Sequence, residues 1–506
     1  MKTVRKLCFL LAVILTLSCC LPTIFVAADE KTYETNPGII SGNAVVAFAR
    51  DENRFLYNYR LDERVAPAVA TKLMTCIVVA DILQERGLKA ENVKVTVTDE
   101  AIALSGGAID ARLPTMSFRA NEQYTAQDLI SATLVACAND AASALASYFG
   151  TVFLNGNAND FVAKMNEKAQ QLGLKNTHFT NPTGLDDPNQ YTTPREVALI
   201  ASSFYGYNDL FALSNVESFT FDGKSTIRNK NALKSDKFVS GYKNPNAMGM
   251  IGGQLNIDGN YCLISATEKE GKTYIFVVMC ASSLVVYRDE AAGRNYYSFD
   301  MGNAYDDMNK LIGWTRESFE LVSITTKDSI IGELHVDLGN SSDHAMVVPA
   351  ESVESLIHKS SKKNIKAVLT YDDSIVYKKE FNGQQYDTVN APIETGAQVG
   401  EIVYTCDGVE LARVPAVIKE GIELDEVKNF FAKCKAFLFG PIPKILGIVI
   451  GVIILIYIIA GIVSAVAASK EKKAKKNKKT QKTSVKPTNK SKEIKTDKNG
   501  DTKEMR

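Results

Sequence analysis

Residues 39–59 hold two mainly apolar runs, IISGNAVVAFA and RFLYNY, separated by the turn signal Asp51-Glu52-Asn53. This pattern predicts a β-hairpin. From Pro67 the period lengthens. Leu73, Ile77, Ala80 and Leu83 fall at helical spacing and Gly87 stops the run, which predicts a helix. A strand-like VKVTVT follows, then a loop carrying Ser105-Gly106-Gly107. In residues 124–150, Thr125 and Asp128 have capping-box-like spacing before the apolar run Leu129–Val135. A second helix is predicted from an Asx cap at Asn139-Asp140 to Gly150. Asp160–Leu172 is amphipathic and ends at Gly173. Thr193-Pro194-Arg195-Glu196 combines a cap, a proline at the first helical position and an acid in the first turn. Ala247–Ala266 and Tyr274–Cys280 read as strands of one sheet.

Beyond Ser318 the apolar runs shorten. SIIGELHV, AVLTY and SIVYKKEF are punctuated by Leu338-Gly339-Asn340, Asp372-Asp373 and Asn382-Gly383, the pattern of a small all-β domain over 318–422. Leu424, Val427, Phe430, Phe431, Cys434, Phe437 and Leu438 then share one helical face. Such a helix over 424–440 suits a membrane surface and packing on the β domain equally. Ile445–Ala467 is 23 residues without a charge. As a helix it is about 34 Å long, enough to cross the hydrocarbon core.

The net charge of zero over 506 residues hides an asymmetry. Residues 469–506 carry 15 Lys and Arg against 5 Asp and Glu, a net +10. At the start, Lys2, Arg5 and Lys6 precede an apolar run to Ala27 and small residues before Asp29. This reads as a signal peptide over 1–28, with an uncleaved anchor as the alternative. With those three and ten positive charges set aside, the remainder carries thirteen net negative charges. The positive-inside rule places the basic tail in the cytoplasm and the folded domains outside. An acidic ectodomain argues against nucleic acid as its ligand. The tail has a disordered composition and reads as a solvated stop-transfer flank.

Beyond the leader, Cys76, Cys137, Cys262, Cys280, Cys406 and Cys434 are scattered without CxxC spacing. They predict neither a disulfide framework nor a zinc site, and suit small buried apolar positions. Only His178 of the four histidines lies in the first domain, so a His-rich metal site is unsupported there. No cofactor is expected.

The chemistry-bearing stretch is Pro67–Thr75, PAVATKLMT. It resembles the PAS-x-TK-x-MT box of the serine-type D-alanyl-D-alanine carboxypeptidases, low-molecular-mass penicillin-binding proteins. Three further stretches carry the same resemblance. Cys137-Ala138-Asn139 stands where the family has S-x-N, and the run from Gly173, GLKNTHFTNPTGLDDPNQYTTPREVALIA, is similar to a long framework segment. AMGMIGGQLNIDGNYCLISA matches the region of the K-T-G box, with Gly252-Gly253-Gln254 on the box, or Ile251-Gly252-Gly253 if one residue is inserted. The end of the 318–422 region resembles the β-rich domain that follows many of these enzymes.

The resemblance implies an α/β (α+β) penicillin-binding-protein or serine β-lactamase-like domain over 38–300. A small all-β domain over 318–422 and one transmembrane helix over 445–467 complete the implied architecture. It also implies an acyl-enzyme route, in which a Ser attacks the carbonyl between two D-alanines, assisted by a Lys three residues on. Carried over position by position, Val69 takes the place of the nucleophile and Lys72 has no hydroxyl to activate. Cys137 replaces a proton-relaying Ser, Asn139 is retained, and the third-box Lys is absent. The resulting expectation is a membrane-anchored pseudoenzyme of peptidoglycan metabolism. Val69, Lys72, Cys137 and Asn139 are its vestigial positions, and Gly252, Gly253 and Gln254 its ligand-binding ones. Its partners would be peptidoglycan stem peptides or cell-wall synthesis proteins. The alternatives are a hydrolase with a displaced nucleophile, Cys137 above all, and a structural or signalling membrane protein. Ser240/Lys243 and Ser360/Lys363 have bare S-x-x-K spacing but open no apolar helix.

Overall fold

The computed structural model describes residues 36–39, 41–106, 114–236, 240–254, 261–281, 284–289, 294–299 and 302–480. The expected signal peptide and the tail from residue 481 lie outside the described residues. The chain divides into two compact units. One runs to Gly332 and includes 348–372 and 398–417; the other holds 333–347, 373–397 and the residues from Ile418.

The first unit is built on a five-stranded antiparallel sheet. Its strands are β1 (Ala44–Ala49), β2 (Arg54–Tyr59), β3 (Met248–Gln254), β4 (Tyr261–Lys269) and β5 (Lys272–Ala281), in the order β2-β1-β5-β4-β3. The hairpin expected over 39–59 is β1 and β2, paired with a bulge at Ala47/Phe48. β1 is buried along its whole length because both faces of the sheet are covered. Val46 and Phe48 enter a core shared with the helices, and Val45, Ala47 and Ala49 enter a second core on the opposite face.

The helical layer contains α1 (Ala70–Glu85), α2 (Ala126–Val135), α3 (Asn139–Val152), α4 (Ala158–Gln171) and α5 (Pro194–Tyr205). α1 is the central helix. Leu73, Ile77 and Leu83 are buried, and so are Thr71, Lys72 and Thr75, whereas Ala80 is half-buried. The 3.6-residue pattern therefore understates its burial. The predicted caps at Thr125 and Thr193 are present, accepting from the Asp128 and Glu196 N–H groups at 3.0 and 3.3 Å. α4 begins with a full capping box between Asn157 and Asp160.

α3 departs from expectation at both ends. Its N-cap is Ala138 and Asn139 is already helical. The Asp140 carboxylate receives the Met116 and Phe118 N–H groups at 2.8 and 3.2 Å, fixing the preceding loop. Gly150 does not stop the helix. It permits close packing, because a Cβ there would lie 2.1 Å from the Asn157 carbonyl oxygen.

The opposite face of the sheet is covered by α6 (Gly302–Ser318), an element the strand-by-strand reading passed over. Its signal was present. Ala304, Tyr305, Met308, Leu311 and Ile312 are helically spaced and buried. The same unit holds Phe319–Thr325 paired with Val353–His358, and Ile365–Tyr371, Gln398–Cys406 and Val409–Ile418 as a consecutive antiparallel run. Leu356 is tied to the hairpin turn, its N–H donating to Glu52 at 2.6 Å and its carbonyl accepting from Arg54.

In the second unit β6 (Gly332–Asp337) lies beside β7 (His344–Pro349) and runs parallel to β9 (Gln384–Asn390). β8 (Tyr377–Phe381) pairs with β9 across the expected Asn382-Gly383 turn. Helix α7 (Glu426–Phe439) is capped by Asp425 and has no buried residue. Val427, Phe430, Phe431, Phe437 and Leu438 are all exposed. Helix α8 (Pro441–Thr480) contains the uncharged run and is long and apolar enough to cross a membrane. The architecture is thus an α/β domain, a following all-β domain and one candidate apolar C-terminal helix.

Candidate functional site

The start of α1 is held by tight backbone turns. The N–H groups of Ala70, Thr71 and Lys72 donate to the carbonyls of Pro67, Ala68 and Val69 at 3.0–3.1 Å. These first-turn donors are the ones a helix leaves unpaired for caps or ligands. Here they are already engaged, and Val69 forms the N-cap with no side-chain bond.

Val69 is 1% exposed. Facing it are Gly253 of β3 and its cross-strand partner Cys262. A Cβ on Gly253 would lie 2.9 Å from Val69 Cγ1 and 2.6 Å from Cys137 Sγ. The backbone of β3 at Gly253 therefore rests directly on Val69 and Cys137. The Val69 N–H is directed at the Cys262 thiol, where it partly offsets the upward push of burial on that thiol's pKa. Ile251 joins the same apolar core as Val69 and Cys137. Gly252 points to the other side of the sheet, towards Leu263 and Tyr261. Gln254 ends β3, paired through its backbone with Tyr261.

Lys72 is 4% exposed, and its Nζ donates to the Thr183 carbonyl at 2.7 Å. Burial pushes the amine below the ordinary lysine value of 10.5. Cys137 pulls it back, Lys230 pushes it further down, and Cys76 and Asp140 pull it up. Asn139 turns away from this amine, its Nδ2 donating to the Ser105 carbonyl at 3.2 Å and its backbone N–H to Pro114 at 2.8 Å. Val69 and Cys137 thus share the Gly253 contact, while the Lys72 amine and the Asn139 amide bond to different parts of the fold.

The backbone keeps unusual conformations at both helix-borne boxes. Ala68, just before Val69, has φ +50° and Cys137 has φ +55°. A left-handed non-glycine residue costs about 1–2 kcal/mol, so tight packing must hold both in place. At Ala68 the packing comes from Gly184. It has φ +84°, and a Cβ there would lie 2.1 Å from the Ala68 carbonyl oxygen.

Three contributors carry no box signal in the sequence. Thr183 and Pro182 belong to the long framework segment that starts at Gly173. Their carbonyls receive Lys72 Nζ and Thr75 Oγ1, the latter at 2.8 Å. Lys230 follows a short hairpin and carries no recognisable box; only the fold brings its charge towards Lys72.

Residues 30–283 match the D-alanyl-D-alanine carboxypeptidase family. The chain belongs to this family of low-molecular-mass penicillin-binding proteins. Residues 319–424 match the C-terminal domain of penicillin-binding protein 5. The chain is 26% identical over 407 residues to the D-alanyl-D-alanine carboxypeptidase DacF of Bacillus subtilis, covering 79% of this chain and 90% of that one. With DacA of Haemophilus influenzae it shares 28% identity over 426 residues, covering 81% and 92%. Penicillin binding protein 5 of Haemophilus influenzae superposes with a TM-score of 0.53 at 25% identity, over 77% of this chain and 99% of that one. The carboxypeptidase DacD of Francisella tularensis, at 20% identity and a TM-score of 0.55, shares the fold. In this chain residue 69 is a valine, and residues 251–254, Ile-Gly-Gly-Gln, include no basic side chain.

Proposed function

We propose that this chain is a non-hydrolysing member of the carboxypeptidase family, acting in peptidoglycan metabolism by binding rather than turnover. The observation that carries the reading is the contact of Gly253 with Val69 and Cys137. Acyl transfer needs a nucleophile within reach of a carbonyl and donors left for the oxyanion. At this position Val69 offers no nucleophile, its N–H faces Cys262, and Lys72 is committed to Thr183. Cys137 as a displaced nucleophile is disfavoured, since the residue is only 2% exposed and its sulfur abuts Gly253.

Binding has a separate structural basis. β3 is the edge strand of the sheet, and Gly252-Gly253-Gln254 lies on it. An extended stem peptide can add along such an edge without entering the closed pocket. A cell-wall synthesis protein is the other partner of this reading. α8 supports single-pass anchoring, with the folded domains outside and the basic tail in the cytoplasm. α7, with its apolar side chains exposed, would lie along the membrane surface.

The test is intact mass of the detergent-purified chain after incubation with benzylpenicillin, together with D-alanine release from a stem pentapeptide and retention on isolated peptidoglycan. No adduct, no D-alanine and saturable retention are expected. A stable adduct, or D-alanine release abolished in Cys137→Ala, would overturn the reading.

A further inference from the structure

A second constellation lies within the other unit. Among the described residues His335, Asp343 and His344 form a group of metal-ligating side chains whose donor atoms all fall within 4.8 Å of one another. Sequence spacing gave no hint of it, because the eight residues between the two histidines follow no common ligand pattern. The β6–β7 hairpin creates the site. The Val336 N–H donates to the Asp343 carbonyl at 2.7 Å, which sets His335 opposite His344 on neighbouring strands. Their ring centroids are 5.4 Å apart at an interplanar angle of 81°. Asp343 Oδ1 reaches His344 Nδ1 at 2.8 Å.

We propose that His335, Asp343 and His344 form a binding site for a divalent first-row transition ion of the zinc type. Two imidazoles and one carboxylate are borderline donors that suit Zn2+, whereas Ca2+ and Mg2+ take shells of oxygen. Ligand distances of about 2.0–2.2 Å place tetrahedral donors about 3.4 Å apart. The Asp343–His344 pair would open slightly from 2.8 Å, and the more widely spaced donors, now within 4.8 Å, would close by up to about 1.4 Å to reach that spacing. The ion would replace the present Asp343–His344 contact. His335 is already oriented, with the Phe381 ring 4.3 Å from its own in an edge contact and the Tyr386 ring at 6.3 Å. Asp337 stands beside it, with Oδ1 4.0 Å from His335 Nε2. Its carboxylate is taken by Lys379 and by the Tyr377 hydroxyl at 2.9 Å, so it acts as an outer partner, not a ligand. The remaining coordination positions open to solvent, since the His344 and Asp343 side chains are 44% and 70% exposed. The site does not rest on the non-hydrolysing reading.

The experiment uses the full chain, purified in detergent without a polyhistidine tag and stripped with EDTA. ZnCl2 is titrated by calorimetry, with CaCl2 and MgCl2 in parallel. One equivalent of Zn2+ is expected, together with a Zn2+-dependent rise in melting temperature. Affinity should fall at least about tenfold in His344→Gln and in Asp343→Asn. Both positions are exposed, and an unchanged melting temperature of each metal-free variant separates ligand loss from misfolding. Absence of saturable Zn2+ binding, an equivalent retained at full affinity in His344→Gln, or equal binding of Ca2+ would each overturn the proposal.

Discussion

Gly253 lies so close to Val69 that a methyl group on it would come within 2.9 Å of Val69 Cγ1. The same methyl would meet Cys137 Sγ at 2.6 Å. Gly253, Val69 and Cys137 therefore form one packed core contact. Gly253→Ala is expected to destabilise the chain by about 1–3 kcal/mol through overpacking. Val69→Ala or Cys137→Ala would create space, so each double variant should lose less than the sum of its single changes. Denaturant unfolding of the four-member cycles measures this, and strict additivity would contradict the contact.

Restoring the hydroxyl should not restore the chemistry. Val69→Ser supplies an oxygen, but Gly253 still closes the pocket, Lys72 still donates to Thr183, and the third box still lacks its Lys. The variant should give no penicillin adduct by intact mass. It should also lose stability, by about 1–3 kcal/mol, from the lost apolar burial and the buried hydroxyl. Acylation of Val69→Ser alone would mean the cleft opens readily.

The buried amine makes stability depend on alkaline pH. Burial holds the folded Lys72 below its ordinary value of 10.5, so between the two values the unfolded chain holds a proton that the folded chain has released. Unfolding then takes up a proton, and raising the pH through that window favours the folded state. The unfolding free energy of the wild type relative to Lys72→Met should rise as pH approaches 10.5. A flat difference between the two chains from neutral pH upward would show that the amine titrates normally.

Membrane attachment should separate into two steps. A chain ending at Gly440 loses α8 and should become extractable by alkaline carbonate, while the full chain stays in the membrane fraction. The shortened chain should still float with vesicles through α7. Phe430→Glu with Phe431→Glu should abolish that flotation, since each buried Phe contributes about 1.5–3 kcal/mol. Full extraction of the intact chain by carbonate would contradict the anchor.

The structure brings together Gly253, Val69 and Cys137, three of the positions that the sequence resemblance singled out. PAVATKLMT gives Val69 and Lys72, and Cys137-Ala138-Asn139 gives the altered second box, because such boxes are contiguous and short-range. Most elements were legible for a similar reason. The Thr125 and Thr193 caps and the period of α1 are local signals, acting within a few residues. α6 was overlooked despite a clear helical spacing. Asn139 was misplaced as a cap because its first-turn geometry depends on Pro114 and Ser105, more than twenty residues earlier.

The sequence by itself determined which side chains are present: no hydroxyl at residue 69, no basic group at 251–254, and an uncharged run long enough to span a bilayer. Only the tertiary structure decided what those changes mean. Whether Gly252-Gly253 widens the pocket or lets the strand settle inward depends on the separation of β3 from α1, which no local pattern encodes. In the structure the strand comes close enough to α1 for Gly253 to rest on Val69 and Cys137, the close approach expected of a filled interior. The pairing of His335 with His344 likewise follows from strand register, which places residues far apart in spacing within reach of one ion.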